Sequence, residues 1–194
     1  MGLRPPDIRR PARTVAGSAD DTLLVRRAQD GCLDAYRVLV ERHAPRAYRA
    51  ALGVLGNRED AEDVTQEALL AAWLALPGFR GDASFATWLH RIVITRALNK
   101  STRAVWTRPL DAVPEPADPA RGPADQAEQH QAAVAVAAAV AGLPAAQRVA
   151  LVLYQFEGRS YDDIAAITGS TVPAIRSHLY RARRTLATRL HDWR

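Results

Sequence analysis

The chain has 194 residues, 48% of them hydrophobic and 24% charged, and no apolar run reaches the ~20 residues a membrane span needs. A secretory leader is also missing from the first twenty residues, which carry Arg4, Arg9, Arg10 and Arg13 without an uninterrupted apolar stretch, so a cytoplasmic protein with no membrane insertion is expected. Cys32 is the single cysteine, which excludes an internal disulfide and a thiolate zinc cluster, and the five histidines are too scattered for a ligand set, so neither metal nor cofactor is expected.

The net charge of +5 points to a polyanionic partner, and its distribution says more than its size. From Gly53 to Leu74 acid dominates, with Glu59, Asp60, Glu62, Asp63 and Glu67 against Arg58. From Phe79 to Arg108 six basic residues face Asp82 alone, and from Gly158 to Arg194 seven arginines face three aspartates. Only Lys100 of the 26 basic residues is lysine, so arginine usage by itself is not read as phosphate recognition.

Residues 1–19 read as a disordered extension. Residues 20–104 carry helical spacing: Leu24, Ala28, Leu39, Val40 and Ala47 recur at helical intervals across a break at Gly31, Val64, Ala68, Ala71 and Ala72 keep the period, and so do Trp88, Ile92, Thr95 and Asn99. Breaks at Gly53 to Asn57 and Pro77 to Asp82 divide the stretch into three or four packed helices. Glu59, Asp63 and Glu67 stand at i, i+4, i+8 on one face of the acidic helix, with Glu62 and Gln66 beside them, while Val64, Ala68 and Ala72 turn inward. Stacked like charges cost a few tenths of a kcal/mol per pair, a cost that a basic partner removes; a plainly solvated face is the other reading. The next stretch, Phe79 to Ile92, interleaves aromatics with basic and small polar residues at a glycine loop and leads into Arg91, Arg96, Lys100 and Arg103. Flat apolar platforms beside a cationic track suit unpaired bases and their phosphates. Phe85, Trp88 and Ile92 also fit a core stripe, and Trp88 fits it better than it fits a platform.

Five prolines between Pro109 and Pro123 mark residues 105–127 as a linker long enough to let two modules act on distant sites. The second module, residues 128–194, opens on an alanine-rich helix, and Pro144 starts another that carries Val149, Val152, Leu153 and Phe156. The strongest pattern follows. A short helix from Tyr161 ends at Gly169, Ser170 or Thr171 caps a longer one with Pro173 in its first turn, and Val172, Ile175, Leu179, Ala182 and Leu186 form its buried stripe. Ala174, Arg176, Ser177, His178, Arg181 and Arg184 are left facing outward, the chemistry a recognition helix needs in a major groove. The expected fold is all-α, two small helical domains joined by a proline-rich linker, the second a helix-turn-helix. No convergent acid, base or metal set marks an enzyme.

These motifs resemble the extracytoplasmic-function sigma factors of the bacterial sigma-70 family. The segments Gly142-Leu143-Pro144, Tyr161-Asp162-Asp163-Ile164-Ala165 and Ile175 to Arg183 look like that family's reader of the minus-thirty-five element, with His178 and Pro173 as departures from its usual residues. The resemblance implies minus-thirty-five contacts at Ser170, Thr171, Ala174, Arg176, Ser177, His178, Arg181 and Arg184. The stretch from Asp60 to Trp73 is similar to the helix that docks on core RNA polymerase, which implies contacts at Asp60, Glu62, Asp63, Gln66 and Glu67. Phe-Arg-Gly at 79–81, then Phe85 to Leu89 and Arg91-Ile92 look like the minus-ten segment, with Thr95 where many members carry asparagine. That similarity implies minus-ten contacts at Arg80, Phe85, Trp88, Arg91, Arg96, Asn99, Lys100 and Arg103. The implied protein is a promoter-specificity subunit, partnered by core polymerase, promoter DNA and an anti-sigma factor. The alternative is a helix-turn-helix regulator that binds duplex DNA alone and has no use for the acidic helix.

Overall fold

The computed structural model describes the backbone of residues 16–104 and 123–191, and the side chains of residues 20–101, 131 and 133–191. Among these the chain is helical throughout, with no strand, as the periodicities predict. Helix α1 (Ala16–Gln29) starts four residues inside the expected disordered extension. It ends at Gly31, whose φ of 87° only glycine takes without strain. Helix α2 (Leu33–Leu55) ends at a second left-handed glycine, Gly56. Helix α3 (Arg58–Ala75) is capped by Asn57, whose side-chain oxygen accepts from the Asp60 N–H at 2.9 Å. After a 3-10 turn at Leu76–Gly78, helix α4 (Phe85–Ala104) starts with Ser84 Oγ accepting from the Thr87 N–H at 3.1 Å.

The second module begins with α5 (Pro123–Ala141), so the end of the expected linker is helix: a proline suits the first turn, and the alanines behind it favour propagation. Helix α6 (Ala145–Leu151) runs into a π-helical turn at Val152–Phe156. Helix α7 (Tyr161–Thr168) opens on a reciprocal cap, in which Ser160 Oγ accepts from the Asp163 N–H and Asp163 reaches back to the Ser160 N–H. It closes at Gly169, φ 65°, and α8 (Val172–His191) follows, with Thr171 Oγ1 accepting from the Ala174 N–H at 3.4 Å.

In the first module α2, α3 and α4 pack on one another around Leu39, Ala47, Val64, Ala68, Leu89 and Ile94, and α1 lies along α2. In the second, α6, α7 and α8 close over Leu153, Ile164, Ile167, Ile175 and Leu179. The two modules do not stand apart. Helix α4 packs on α7, and α2 lies against the π turn, so one hydrophobic core passes through both modules. Gly53 lies inside α2 rather than in the break expected there. It permits this approach, because a Cβ at position 53 would come within 2.8 Å of Val152 Cγ1.

Polar groups complete the seam. Glu157 is buried and faces Arg46 Nε at 3.3 Å and Arg49 Nε at 3.4 Å from α2, while Arg46 Nη2 also donates to the Glu157 carbonyl at 2.9 Å. His90 on α4 is fully buried, with Arg159 Nη2 3.1 Å from its Nδ1 and 3.5 Å from its Nε2; because Nδ1–H donates to the Ala86 carbonyl at 2.7 Å, only Nε2 is left to accept from Arg159. Burial first, and the neighbouring Arg159 charge second, push the His90 imidazole down to a pKa of about 4.

Candidate nucleic-acid and protein interfaces

Helix α3 presents the acidic face where the spacing predicts it. Ala61, Val64, Ala68 and Ala72 are buried, and Glu59, Glu62, Asp63, Gln66 and Glu67 are exposed. Asp60 is half-buried. The face is partly neutralised from within: Glu62 pairs with Arg58 at 3.0 Å, and Lys100 from α4 reaches Asp60 at 2.9 Å and Asp63 at 3.2 Å. Burial pulls the Lys100 pKa down, but its hydrogen bonds to the two carboxylates outweigh that, and the net shift is upward. Lys100, expected on the minus-ten surface, also serves as a counter-ion of the acidic helix.

Sequence reasoning missed two residues of this face. Leu70 and Leu74 are 63% and 71% exposed and continue the Glu59, Asp63, Glu67 line at i+11 and i+15. Their helical phase was visible, but two leucines in an alanine-rich run carry no outward mark until packing shows the core is filled without them. Leu23, Leu33, Phe156 and Tyr180 are about as exposed elsewhere, so what sets Leu70 and Leu74 apart is that they lie together at the end of the acidic face.

The aromatic-basic segment is arranged differently from expectation at Phe85. That ring is only 3% exposed, packed on His43 from α2 with centroids 5.5 Å apart, so it is core rather than a base platform. Trp88 is half-buried, 4.8 Å from Phe79 and 5.8 Å from Phe85, one edge of a three-ring cluster under the glycine loop. Arg80 is on the loop paired with Asp82 at 3.0 Å, Arg91 and Asn99 are exposed, and Arg96 is half-buried. Thr95 Oγ1 donates to the Arg91 carbonyl at 2.7 Å, turning back on its own helix. The Arg103 side chain lies outside the described residues.

The helix-turn-helix matches the pattern read from the sequence. Ile175, Leu179 and Ala182 are buried against Ile164 and Ile167. Ser170, Thr171, Arg176, Arg181 and Arg184 are exposed, while Ala174, Ser177 and His178 are half-buried. Arg181 donates to Ser177 Oγ at 2.8 and 3.3 Å. His178 Nδ1 is buried without a hydrogen-bond partner. Tyr180, 66% exposed on the outward side of α8, is a further surface residue that the pattern did not single out. Among the described residues no three His, Cys, Asp or Glu side chains converge as a metal site, and no helix is long and apolar enough to cross a membrane.

Comparison with known proteins agrees with this geometry. The family model for Sigma-70 region 2 matches residues 39–107, and that for Sigma-70 region 4 matches residues 133–186. The chain is 34% identical to the RNA polymerase sigma-H factor of Pseudomonas aeruginosa over 177 residues, covering 86% of this chain and 91% of the relative. It is 33% identical to the ECF RNA polymerase sigma-E factor of Escherichia coli K12 over 181 residues, with 86% and 92% covered. It also matches the ECF RNA polymerase sigma factor SigE of Mycolicibacterium smegmatis at 36% over 152 residues, 76% of this chain but 58% of that longer relative. Among solved structures, CnrH in complex with the cytosolic domain of CnrY superposes with a TM-score of 0.67 at 27% identity, covering 89% of this chain and 97% of that one. The sigma factor RpoE of Bartonella quintana, solved with the anti-sigma factor NepR, shares the fold with a TM-score of 0.61 at 23% identity over 82% and 98% of the two chains. With an acidic helix, an aromatic-basic segment and a helix-turn-helix in this order, the chain belongs to the extracytoplasmic-function sigma factors of the sigma-70 family.

Proposed function

We propose that the chain is the promoter-specificity subunit of RNA polymerase, working in the cytoplasm, with each surface taking one partner. The α3 face, through Asp60, Glu62, Asp63, Gln66 and Glu67 and now Leu70 and Leu74, docks on core polymerase. The loop at 79–84 and α4, through Arg80, Trp88, Arg91, Arg96, Asn99 and Arg103, hold the melted minus-ten strand, with Phe85 as the floor of that surface rather than a contact. Helices α7 and α8 read the minus-thirty-five duplex. Residues 20–104 and 128–194 are the two working domains. Catalysis belongs to the polymerase: melting needs only that captured bases offset the few kcal/mol of unstacking per base.

The observation that carries this reading is the stripe of Glu59, Asp63, Glu67, Leu70 and Leu74, exposed on one face of α3. A regulator that only binds duplex DNA has no use for it. RpoE of Bartonella quintana, which shares this fold, was solved with the anti-sigma factor NepR, and this supports an anti-sigma partner here as well. In vitro transcription from genomic fragments, with core polymerase in the presence and absence of this chain, tests the assignment. New start sites that vanish with Asp63→Ala/Gln66→Ala are expected; no new start sites, or full activity of that variant, would overturn it.

A further inference from the structure

Four side chains at the join between the π turn, α7 and α8 form a cluster, two stacked tyrosines with an arginine over each ring. Tyr154 and Tyr161 lie nearly parallel, with centroids 5.2 Å apart and planes 17° from each other. The Arg176 guanidinium carbon sits 5.6 Å from the Tyr161 ring centre, and that of Arg183 sits 5.3 Å from the Tyr154 ring centre. Both arginines are exposed, both rings are half-buried, and neither guanidinium forms an ion pair among the described residues. Arg181, by contrast, spends donors on Ser177.

A guanidinium held over a ring by cation–π attraction spends no N–H donor on that contact, and those donors can fork onto phosphate oxygens. A free arginine loses much of its rotamer freedom when it binds, and a ring that already holds it reduces that loss. Arg176 and Arg183 are two helical turns apart, about 10.5 Å along the axis, so they reach different phosphates. We propose that the Tyr154–Tyr161 stack is a positioning device which holds Arg176 and Arg183 ready for the phosphate backbone of the duplex that α8 reads. This rests on the reading of α8 as a duplex-binding helix, and it adds Arg183, Tyr154 and Tyr161 to that surface.

The test is fluorescence anisotropy of the full chain with a labelled mixed-sequence DNA duplex, titrated from low to physiological salt. Tyr161→Leu and Tyr154→Leu are each expected to weaken binding about two- to fivefold and to lower the salt slope, by up to ~0.9 for each phosphate no longer neutralised. Tyr161→Phe keeps the ring and loses only the hydroxyl hydrogen bond to Tyr154, and is expected to retain most of the wild-type binding. In an Arg176→Ala background the effect of Tyr161→Leu should shrink, because its direct partner is gone and only the route through Tyr154 to Arg183 remains. The proposal fails if Tyr161→Leu leaves the slope unchanged, if its effect persists in full without Arg176, or if Tyr161→Phe is as damaging as leucine. Should the leucine variants lose helical circular dichroism, exposed Arg183→Ala replaces them: an unchanged slope overturns the proposal, and a lower one supports it. Wild-type chain that shows no salt-dependent duplex binding would remove the assignment of α8 itself, and the proposal with it.

Discussion

Lys100 Nζ lies 2.9 Å from Asp60 Oδ1, and this one contact ties the helix expected to carry minus-ten DNA to the helix expected to carry polymerase. With Asp63 at 3.2 Å, the lysine is the local counter-ion of a face that otherwise carries acid. Its side chain is a third exposed, so as a stabilising pair it contributes no more than about 1 kcal/mol.

Replacing Lys100 therefore changes electrostatics more than folding. Lys100→Met is expected to lower stability in urea by less than about 1 kcal/mol, and to raise the low-salt association rate with core polymerase by exposing Asp60 and Asp63 unneutralised. Stopped-flow association at two ionic strengths checks this; a rate equal to wild type at low salt would show that the pair does not shield the docking face.

Leu70 and Leu74 offer the converse separation. Each is largely in water, so Leu70→Ser/Leu74→Ser should leave the melting temperature unchanged. Burying one leucine contributes about 1.5–3 kcal/mol, so losing both should weaken the polymerase complex by tenfold or more. A calorimetric melt and a binding titration on the same preparation decide it, and an unaltered affinity would remove the leucines from the interface.

Much of this architecture could be read ahead of the structure wherever the cause is local. Ala61, Val64, Ala68 and Ala72 are buried because their period is helical, and the α7–α8 turn follows from Ser160, Gly169 and Thr171, whose chemistry acts over three or four residues. What escaped reading depends on contacts between distant segments. Phe85 looked like a platform because His43, which covers it, is more than forty residues away. The pairing of Lys100 with α3 could not be read, because nothing near it in the chain shows that α3 lies alongside. Glu157 carries no mark in the sequence, and only the packing of α2 against the π turn makes it a buried partner of Arg46 and Arg49.

That buried carboxylate makes the seam sensitive to substitution. Removing one member of a buried ion pair costs about 3–5 kcal/mol, and the half-exposed arginines reduce the penalty by turning to water. Glu157→Gln is expected to lower stability by about 1–3 kcal/mol and to enlarge the radius of gyration seen by small-angle X-ray scattering. An unchanged radius would mean that the apolar contacts hold the seam without the charge.

His90 sets a pH dependence at the same seam. Its folded pKa of about 4 lies below the usual 6.5, so between those values the unfolded chain binds more protons than the folded one, and stability falls as pH drops. The full shift corresponds to about 3 kcal/mol. His43, also lowered by burial, titrates in the same direction and adds to the loss. Urea midpoints measured from pH 7 to pH 4.5 should decline, and His90→Gln should flatten most of that decline; an identical slope in the variant would assign it elsewhere.

The core that runs unbroken from Leu39 and Ile94 into Leu153 and Ile167 makes the covalent link between the modules partly redundant in this closed arrangement. Two polypeptides ending and beginning between residues 105 and 122 already hold complementary surfaces: the glycine floor at Gly53 for Val152, the arginine pair for Glu157, and Arg159 for His90. A single cut in that stretch would leave every one of these contacts intact.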